Sequence, residues 1–497
     1  MFKRVLVANR GEIALRIMRT LREMAIESVA VYSDVDREAL HTCFADRAVC
    51  LGDPTPSQSY LNIGAIIAAA KATGAEAIHP GYGFLSENPD FAEQVVAAGL
   101  VFIGPSASAM RALGDKTAAR KLMGARGVPV IPGMDDPESD PAILSERAQQ
   151  IGYPVMLKAV AGGGGKGMRV VTRPEDLAEA AILASQEAQA AFGNGAIFLE
   201  KVLTRPRHIE IQILADAHGH TVHLFERECS IQRRHQKIIE ETPSVAVDAE
   251  LRKRMGDAAV KAAQAVGYVN AGTVEFLVDA QKNFYFLEVN TRLQVEHPIT
   301  EAICGVDLVR LQLEVAAGKN LPWAQEDLVS RGHAIECRIY AEDPNNGFMP
   351  SPGRVLRAEA PMGPGVRYDS SLFSGLDVPV QYDPILSKLI VHAEDRSAAI
   401  ARMRRALEEC VVLGIKTPIE MLMDIMDSTP FHRGETHTGF LDEHFADWRP
   451  SSLPDHVIAI ADALWQLQPP QTADAGLSKS VSTQSPWTSL GAWRLES

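Results

Sequence analysis

Residues 273–298 read TVEFLVDAQKNFYFLEVNTRLQVEHP, and this stretch decides the fold. Residues 272–278 and 284–290 are rich in Val, Phe and Leu that alternate with polar residues, which is typical of half-buried strands. A short polar segment joins the two runs, with its turn centred on Gln281 and Lys282. The stretch therefore predicts an antiparallel β-hairpin that turns one face towards a core.

The opposed carboxylates of this hairpin predict a metal site. With that turn, Glu275 lies directly opposite Glu288, at about 5 Å between the two Cβ atoms. Two carboxylates this close repel each other unless a cation lies between them. Carboxylate oxygens suit Mg²⁺, which typically binds one or two carboxylates together with the phosphates of a nucleotide. Asn290 shares a face with Glu288, because alternate residues of a strand point the same way. The alternative interpretation is two solvated glutamates on an outer face.

A second cluster of charged side chains follows the hairpin. Arg292, Glu296 and His297 stand immediately after the proposed metal ligands. A cation and a base beside a metal-bound nucleotide indicate an anionic co-substrate that must lose a proton. Upstream, residues 232–237, QRRHQK, form a compact basic run that is either an anion clamp or a solvated face. Cys229 precedes this run, as either a reactive nucleophile or a buried structural thiol.

A glycine-rich segment predicts a phosphate-binding hairpin tip. Residues 162–167 read GGGGKG and follow a strand-like run that carries Lys158. The segment formally satisfies GxGxxG, but it lies between two strands instead of opening a helix, and Met168 stands where a P-loop requires Lys. Without side chains, such a tip lets backbone N–H groups approach phosphate oxygens, and Lys166 adds charge. A merely flexible surface turn is the alternative.

The first hundred residues alternate short apolar runs with helical periodicity. The strand-like runs lie at residues 4–8, 28–32, 77–79 and 100–103. This βαβ pattern predicts a parallel sheet. The first run ends in Asn9-Arg-Gly-Glu12 and not in a glycine fingerprint, which argues against a nicotinamide enzyme.

The rest of the chain predicts a small block and a large antiparallel sheet. Within residues 115–203, we expect a helix at 175–192 and strands at 129–132, 154–159, 168–172 and 196–201. Beyond that block, period-2 runs occur at 209–215, 222–226, 272–278, 284–290 and 333–342. The expected fold class is α/β and α+β, with a lid-like block between a parallel and an antiparallel sheet.

Composition excludes several classes of protein. The 497 residues correspond to roughly three domains at about 150 residues each. With a net charge of −14, the chain lacks the excess of basic side chains that is typical of a nucleic-acid-binding protein. No apolar run is long enough to span a membrane. Six scattered cysteines without a CxxC pair fit a reducing cytoplasm, and the strand-like N-terminus leaves no room for a signal peptide.

Together these motifs resemble the ATP-grasp superfamily and, within it, biotin carboxylase. The matching segments are VANRGEIA (7–14), HPGYGFLSEN (79–88), GGGGKGM (162–168), SIQRRHQK (230–237) and EVNTRLQVEHP (288–298). The resemblance implies an ATP-grasp fold with an N-terminal parallel βαβ domain, a small mobile lid and a C-terminal antiparallel-sheet domain. The implied domain limits are 1–114, 115–330 with the lid at about 131–203, 331–446, and a tail at 447–497.

The family reaction that this resemblance implies joins ATP, bicarbonate and biotin to give ADP, phosphate and N1-carboxybiotin through carboxyphosphate. Glu296 matches the base that deprotonates bicarbonate. Lys237, Arg292 and the backbone at Val295 match the positions that hold bicarbonate. Arg338 matches the residue that stabilises the biotin enolate.

The resemblance also implies a nucleotide site and a metal site. The positions that match nucleotide-binding residues are Lys116, Lys158, Gly164, Gly165, Glu200, Lys201, Val202, Leu203, His208, Gln232 and His235. The implied ligands of Mg²⁺ or Mn²⁺, with two ions expected, are Glu275, Glu288 and Asn290.

The expected partners follow from the same resemblance. The chain has no Ala-Met-Lys-Met biotinylation motif, so we expect biotin on a separate carrier protein or domain, together with a carboxyltransferase component. Residues 485–494, SPWTSLGAWR, resemble the start of the next domain in long α-chains of acyl-CoA carboxylases, and a homodimer is expected. The alternatives are another ATP-grasp ligase such as a carbamoyl-phosphate synthetase half, the front part of a pyruvate or urea carboxylase, or a non-enzymatic nucleotide-binding module.

Overall fold

The computed structural model describes residues 1–114, 116–134, 138, 140–159, 169–192, 195–234 and 236–451. Residues Met1–Trp448 form one compact unit. Within the described ranges, no helix combines the length and the apolar character that a membrane crossing requires.

The chain begins with a parallel sheet, as predicted, and a strand at Arg47–Gly52 adds a fifth to the four predicted ones. Its strands are β1 (Arg4–Val7), β2 (Glu27–Ser33), β3 (Arg47–Gly52), β4 (Ala77–His79) and β5 (Val101–Phe102), in the order β3-β2-β1-β4-β5. The helices of this region are α1 (Gly11–Glu23), α2 (Leu40–Phe44), α3 (Ile63–Thr73), α4 (Pro89–Ala97) and α5 (Ala107–Gly114). Asn62 and Asn88 cap α3 and α4 by accepting backbone N–H bonds from their first turns.

A small three-stranded antiparallel sheet follows in the order β7-β6-β8. The strands of this sheet are β6 (Val155–Ala159), β7 (Arg169–Val171) and β8 (Ile197–Lys201). The helices of the same region are α6 (Lys116–Ala125), α7 (Pro141–Ile151) and α8 (Leu177–Phe192). The strand predicted at 129–132 was wrong, because this segment makes only an isolated bridge at Val130. The glycine-rich stretch, including Gly164 and Gly165, lies outside the described residues.

The remaining chain forms a large antiparallel sheet, small two-stranded sheets and the helices that accompany them. Its first part contains β9 (Arg207–Ala215), β10 (Thr221–Arg233), β11 (Gln236–Thr242), α9 (Ala249–Ala265), β12 (Asn270–Val278), β13 (Phe284–Asn290), α10 (His297–Cys304), α11 (Leu308–Ala316) and β14 (His333–Tyr340). The later elements are β15 (Glu342–Asp343), β16 (Met349–Pro350), β17 (Gly353–Arg354), β18 (Arg357–Glu359), β19 (Val366–Ser370), β20 (Asp377–Val378), β21 (Ile385–Ala393), α12 (Arg396–Glu409), β22 (Val411–Leu413), α13 (Ile419–Asp427), α14 (Thr429–His432) and α15 (Phe440–His444). The small sheets are β15-β16, β17-β20 and β18-β22.

Eight of these strands form one sheet in the order β13-β12-β9-β10-β11-β14-β21-β19. The hydrogen-bonded ladder between β11 and β14 carries this sheet across residue 330, where the sequence analysis divides two domains. The domain limits therefore stay a prediction, and the sheet itself is continuous.

The hairpin of β12 and β13 pairs Glu275 with Glu288 as predicted, but its turn is shifted and β13 contains a bulge. Near the turn, Phe276 pairs with Phe286, so the turn centres on Gln281 alone. A bulge at Leu287 then adds one residue to β13 and restores the Glu275–Glu288 pair. The bulge also changes the face of the strand, so that Glu288 points away from the core that contains Phe286.

Helix α1 lies where the parallel sheet and the large sheet meet. One apolar cluster joins Val7 of β1, Ile17 of α1, Leu214 of β9 and Leu311 of α11. The first turn of α1 is therefore held next to one face of the large sheet. The opposite face of that sheet packs against α9 and α12.

The N-terminal region also buries two neutral histidines, which predicts a loss of stability in acid. Burial lowers the pKa of His41 to about 4 and that of His79 to about 3. An unfolded histidine titrates near pH 6.5, so between that pH and the folded pKa the unfolded chain binds more protons. Stability then falls as the pH falls, by about 2 kcal/mol per ring between pH 7 and pH 5.

We expect the His41→Met variant to lose less of its thermal midpoint between pH 7 and pH 5 than the unsubstituted chain, because Met cannot be protonated. The measurement is circular dichroism melting at both pH values. His218→Met, which replaces an exposed ring, is the control and should keep the original pH difference. An equal acid loss in His41→Met and in the unsubstituted chain would contradict the prediction.

Candidate active site

A row of charged side chains crosses four strands on one face of the large sheet. The strand register places Glu288 of β13, Glu275 of β12, Glu210 of β9 and Arg227 of β10 side by side. Glu210 and Arg227 have no exposed surface, and Glu275 is buried. Three neighbouring carboxylates require compensating positive charge inside the protein.

Lys237 of β11 supplies much of that charge. Its ammonium lies 2.5 Å from Glu210 Oε2, 2.8 Å from Glu275 Oε1 and 2.7 Å from Glu296 Oε1. Burial alone would lower the pKa of Lys237, but these three carboxylates raise it well above its usual value. The lysine therefore stays charged and draws β9, β12 and the loop after β13 together.

Glu296 connects Lys237 to Arg338. Its Oε1 accepts from Lys237, and its Oε2 accepts from Arg338 Nη2 at 3.0 Å. Burial alone would raise the pKa of Glu296, but the charges of Lys237 and Arg338 hold it well below the usual value. Arg338 also donates from Nε to Glu240 Oε1 at 2.6 Å. The structure therefore brings Lys237, Glu296 and Arg338 together, and their catalytic roles stay predictions.

The proposed metal ligands lie beside this cluster. Glu275 Oε1 also accepts from Asn290 Nδ2 and from Gln294 Nε2, each at 2.8 Å. Its Oε2 lies 2.9 Å from Nε2 of His208. Burial alone would raise the pKa of Glu275, but Lys237 and His208 hold it well below the usual value. Glu275 is thus an ionised carboxylate, and the hairpin holds Glu288 and Asn290 next to it.

Arg292 and Val295 lie in the loop that connects β13 to α10. Arg292 donates from Nε to Glu87 Oε2 at 2.9 Å and from Nη2 to Asn290 Oδ1 at 3.1 Å. The carbonyl of Val295 accepts from Lys388 Nζ at 3.0 Å. The same loop therefore carries Arg292, the backbone at Val295 and Glu296 to one end of the charged row.

The nucleotide-binding candidates gather in two places. In the small sheet, the buried carboxylate of Glu200 accepts from both Lys158 and Arg120. Lys201 Nζ donates to the carbonyls of Gly152 and Tyr153 at 2.6 and 3.1 Å. The residues Val202 and Leu203 follow β8 directly. In the large sheet, Gln232 is buried in β10 opposite Lys237, and His208 contacts Glu275.

Some sequence candidates have no described side-chain geometry. Gly164, Gly165 and His235 lie outside the described residues, and the described part of Lys116 is its backbone, which begins α6. Their nucleotide-binding roles stay predictions. Cys229 is fully buried, and burial raises the pKa of its thiol well above the usual value, so the structural interpretation of this residue holds.

Sequence reasoning missed several members of the site. Glu210 could have been found, because the polar residues of β9 alternate with Ile209, Ile211 and Ile213. Arg227 could not, since β10 is buried on both faces and shows no alternation there. Arg227 donates to five side chains, which are Glu210, Gln212, Thr273, Gln294 and Thr300.

Comparisons with known proteins agree with this geometry. The model of the biotin carboxylase N-terminal domain matches residues 1–110, and that of the biotin carboxylase C-terminal domain matches residues 336–443. Between them, the carbamoyl-phosphate synthase L chain ATP-binding domain matches residues 115–324. Biotin carboxylase of Nostoc sp. is 52% identical over 442 residues, which cover 89% of this chain and 99% of that protein. The chain belongs to the biotin carboxylase family.

Other family members show how widely this domain is used. A pyruvate carboxylase subunit from Methanothermobacter thermautotrophicus is 54% identical over 444 residues, which cover 89% of this chain and 90% of that protein. The biotin carboxylase of Campylobacter jejuni, solved as a β-γ-ATP complex, is 48% identical with a TM-score of 0.84. That match covers 89% of this chain and 99% of the solved one.

A further solved relative carries ligands. The biotin carboxylase domain of 2-oxoglutarate carboxylase from Hydrogenobacter thermophilus was solved as a dimer with MgADP, ADP and bicarbonate. It is 46% identical with a TM-score of 0.83, and the match covers 89% of this chain and 98% of that one. The family fold is therefore an ATP-grasp fold, as the sequence motifs predicted.

Removing Lys237 should destabilise the protein more at high pH than at low pH. In Lys237→Met the three carboxylates lose their shared cation, so their folded pKa values rise above those of the unfolded chain. The folded state then binds more protons, and the penalty grows as the pH rises. We expect a loss of about 3–5 kcal/mol at pH 8 and a smaller one at pH 5.5.

Thermal midpoints at both pH values measure this effect. Lys319→Met removes a half-exposed ion pair with Glu314 and should leave the midpoint nearly unchanged at either pH. A Lys237→Met penalty that is the same at both pH values would contradict the interpretation.

Proposed function

We propose that this chain catalyses the ATP-dependent carboxylation of biotin N1 by bicarbonate, the first half-reaction of a biotin-dependent carboxylase. The observation that carries the proposal is Glu296, whose two carboxylate oxygens are shared between Lys237 and Arg338. One side chain thus touches both the proposed bicarbonate site and the proposed biotin site. Family membership supports the same reaction.

Glu296 acts as the general base in this proposal. Its lowered pKa means that it is ionised at neutral pH, which is the state in which a general base acts. Bicarbonate held by Lys237, Arg292 and the backbone at Val295 brings a negative charge beside Glu296. That charge raises the basicity of the carboxylate where the proton of bicarbonate must be removed. The deprotonated anion then attacks the γ-phosphorus of ATP, the bond from that phosphorus to the β–γ bridging oxygen breaks, ADP leaves and carboxyphosphate forms.

The metal and nucleotide residues serve this phosphoryl transfer. Glu275, Glu288 and Asn290 offer the carboxylate and amide oxygens that Mg²⁺ or Mn²⁺ prefers, so the donor set fits the ions. When bound, the ions neutralise phosphate charge. Lys158 and Glu200 mark the nucleotide side, which we propose is completed by Lys116, Gly164, Gly165, Lys201, Val202, Leu203, His208, Gln232 and His235. Lys237 and Arg292 stabilise the charge that develops on the transferred group.

Arg338 acts on biotin in the second step. Carboxyphosphate breaks down to CO₂ and phosphate, and that phosphate takes the proton from biotin N1. The guanidinium of Arg338 stabilises the negative charge on the ureido oxygen of the resulting enolate. Carbon–nitrogen bond formation between N1 and CO₂ then completes carboxybiotin. Arg338 is buried between Glu240 and Glu296, so it is oriented before biotin arrives.

The carboxylase system around this half-reaction is a further proposal. Biotin-dependent carboxylases present biotin on a carrier, and we propose a carrier protein or domain, a carboxyltransferase and a second copy of this chain as partners. We propose an acyl-CoA as final acceptor. The 54% identity to a pyruvate carboxylase subunit favours pyruvate as the second candidate.

The first test is ADP release by the purified chain with MgATP. We expect turnover to require bicarbonate and to rise when biotin is added. Glu296→Gln should lower bicarbonate-dependent ADP release by about 10²–10⁴-fold, because a general base is lost. Arg338→Gln should retain slow bicarbonate-dependent release and lose the stimulation by biotin. ADP release that is indifferent to both bicarbonate and biotin would overturn the proposal in favour of another ATP-grasp ligase.

A second test concerns the metal. Glu288→Gln keeps the shape of the side chain and removes a negative oxygen ligand, so half-maximal activity should need about tenfold or more Mg²⁺. Titration of ADP release with Mg²⁺ at saturating ATP measures this shift. Glu314→Gln, which changes a carboxylate outside the proposed site, should leave the titration unchanged. An unshifted curve for Glu288→Gln would remove Glu288 from the ligand set.

A further inference from the structure

A buried lysine behind the charged row has no role in the proposed reaction steps. Lys388 of β21 has no exposed side-chain surface. Its ammonium donates to the carbonyl of Val295 at 3.0 Å and lies 3.3 Å from Glu12 Oε1. Glu12 in turn accepts a hydrogen bond from the hydroxyl of Tyr82. A charge removed this completely from water is costly unless it is fully paired.

Lys388 lies beside the charged cluster that contains Arg338. The register of β14 and β21 places it directly opposite Arg338, on the same face of the sheet. Like charges directly opposite each other destabilise a sheet, and both of these cations are buried. Arg338 is balanced by Glu240 and Glu296, whereas Lys388 forms an ion pair with Glu12 and has the buried Asp369 of β19 directly opposite it on its other side. The charge of Lys388 is therefore compensated, and the contact that links it to the site is the one with Val295.

Lys388 contacts the peptide group that precedes Glu296. The carbonyl of Val295 belongs to the peptide group that joins Val295 to Glu296. Rotation of this peptide would change the direction of the Glu296 side chain and tilt the adjoining backbone at Val295. The peptide lies in the turn before α10, where Glu296 is the N-cap residue without a side-chain cap bond. A charged donor at 3.0 Å is therefore a direct constraint on both groups.

Glu12 anchors the lysine from the other side. It lies in the first turn of α1, which the shared apolar cluster holds against the large sheet. The chain of contacts from Glu12 through Lys388 to Val295 therefore joins the N-terminal sheet region to the loop that carries Glu296. Both charged side chains in this chain of contacts are buried.

We propose that Lys388 is a positioning residue. Its ammonium fixes the Val295–Glu296 peptide in the orientation in which the Val295 backbone and the Glu296 carboxylate both meet bicarbonate, and Glu12 holds Lys388 in place. This inference rests on the proposed function, since it assigns Lys388 to the bicarbonate end of that site.

Steady-state ADP release with varied bicarbonate and varied MgATP tests the proposal. We expect Lys388→Met to lower kcat/KM for bicarbonate by about a hundredfold, because a small misplacement of reacting groups has effects of that size. The KM for MgATP should stay within about twofold. Lys388→Arg keeps a charged donor and should recover most of the lost kcat/KM. Glu12→Gln should shift the same parameter in the same direction as Lys388→Met, by a smaller factor.

Arg396→Met is the matched control on the opposite face of the sheet. Arg396 pairs with the buried Glu241 and donates to the carbonyls of Phe431 and His432, so its loss breaks contacts of the same kind. A fall in thermal midpoint with unchanged kcat/KM for bicarbonate is expected for this variant. The same purely structural result for Lys388→Met would overturn the inference.

Two further outcomes are also decisive. If Lys388→Met does not fold, an unchanged kcat/KM for bicarbonate in Glu12→Gln overturns the inference, and a reduced one supports it. If the unsubstituted chain shows no bicarbonate-dependent ADP release, the proposed function fails, and the inference about Lys388 fails with it.

Discussion

The ammonium of Lys237 is the contact on which the site depends. It neutralises Glu210, Glu275 and Glu296, which come from β9, β12 and the loop after β13. Buried carboxylates at this spacing would otherwise take up protons or force the strands apart. Because a single cation neutralises all three carboxylates, the proposed metal ligand Glu275, the proposed base Glu296 and the central strands keep one geometry. The ammonium of Lys237 thus both stabilises this face of the sheet and offers a positive charge to an anionic substrate.

The two sheets contribute different parts of this arrangement. The large sheet supplies the row of charged side chains and the hairpin that holds Glu275 against Glu288. The N-terminal region contributes Glu87, which pairs with Arg292, and Glu12, which pairs with Lys388. The apolar cluster around α1 makes these long-range contacts possible, because it keeps both sheets in one packed body. Residues far apart in the chain therefore orient the loop that carries Arg292, Val295 and Glu296.

Much of this was visible in the sequence, though not always for the right reason. The Glu275–Glu288 pair was predicted from a turn centred between Gln281 and Lys282, whereas the observed turn is centred on Gln281. The bulge at Leu287 compensates for this difference, so that Glu275 and Glu288 pair as predicted. A bulge leaves no signal in an alternating pattern until the partner strand is known. The strand predicted at 129–132 was wrong, since an apolar run does not show whether a neighbouring strand is available to pair with it.

The sequence by itself indicated many of the strands, the presence of a parallel and an antiparallel sheet, and, through the family resemblance of its motifs, the candidate residues Lys237, Glu275, Glu296 and Arg338. Those features follow from local periodicity and from motifs whose members lie close together in the chain. Only the tertiary structure decided that Glu210 and Arg227 join the row and that Lys388 reaches Val295. The physical reason is that compensation of buried charge acts through space. It selects partners from strands that are distant in sequence and become neighbours only when the sheet forms.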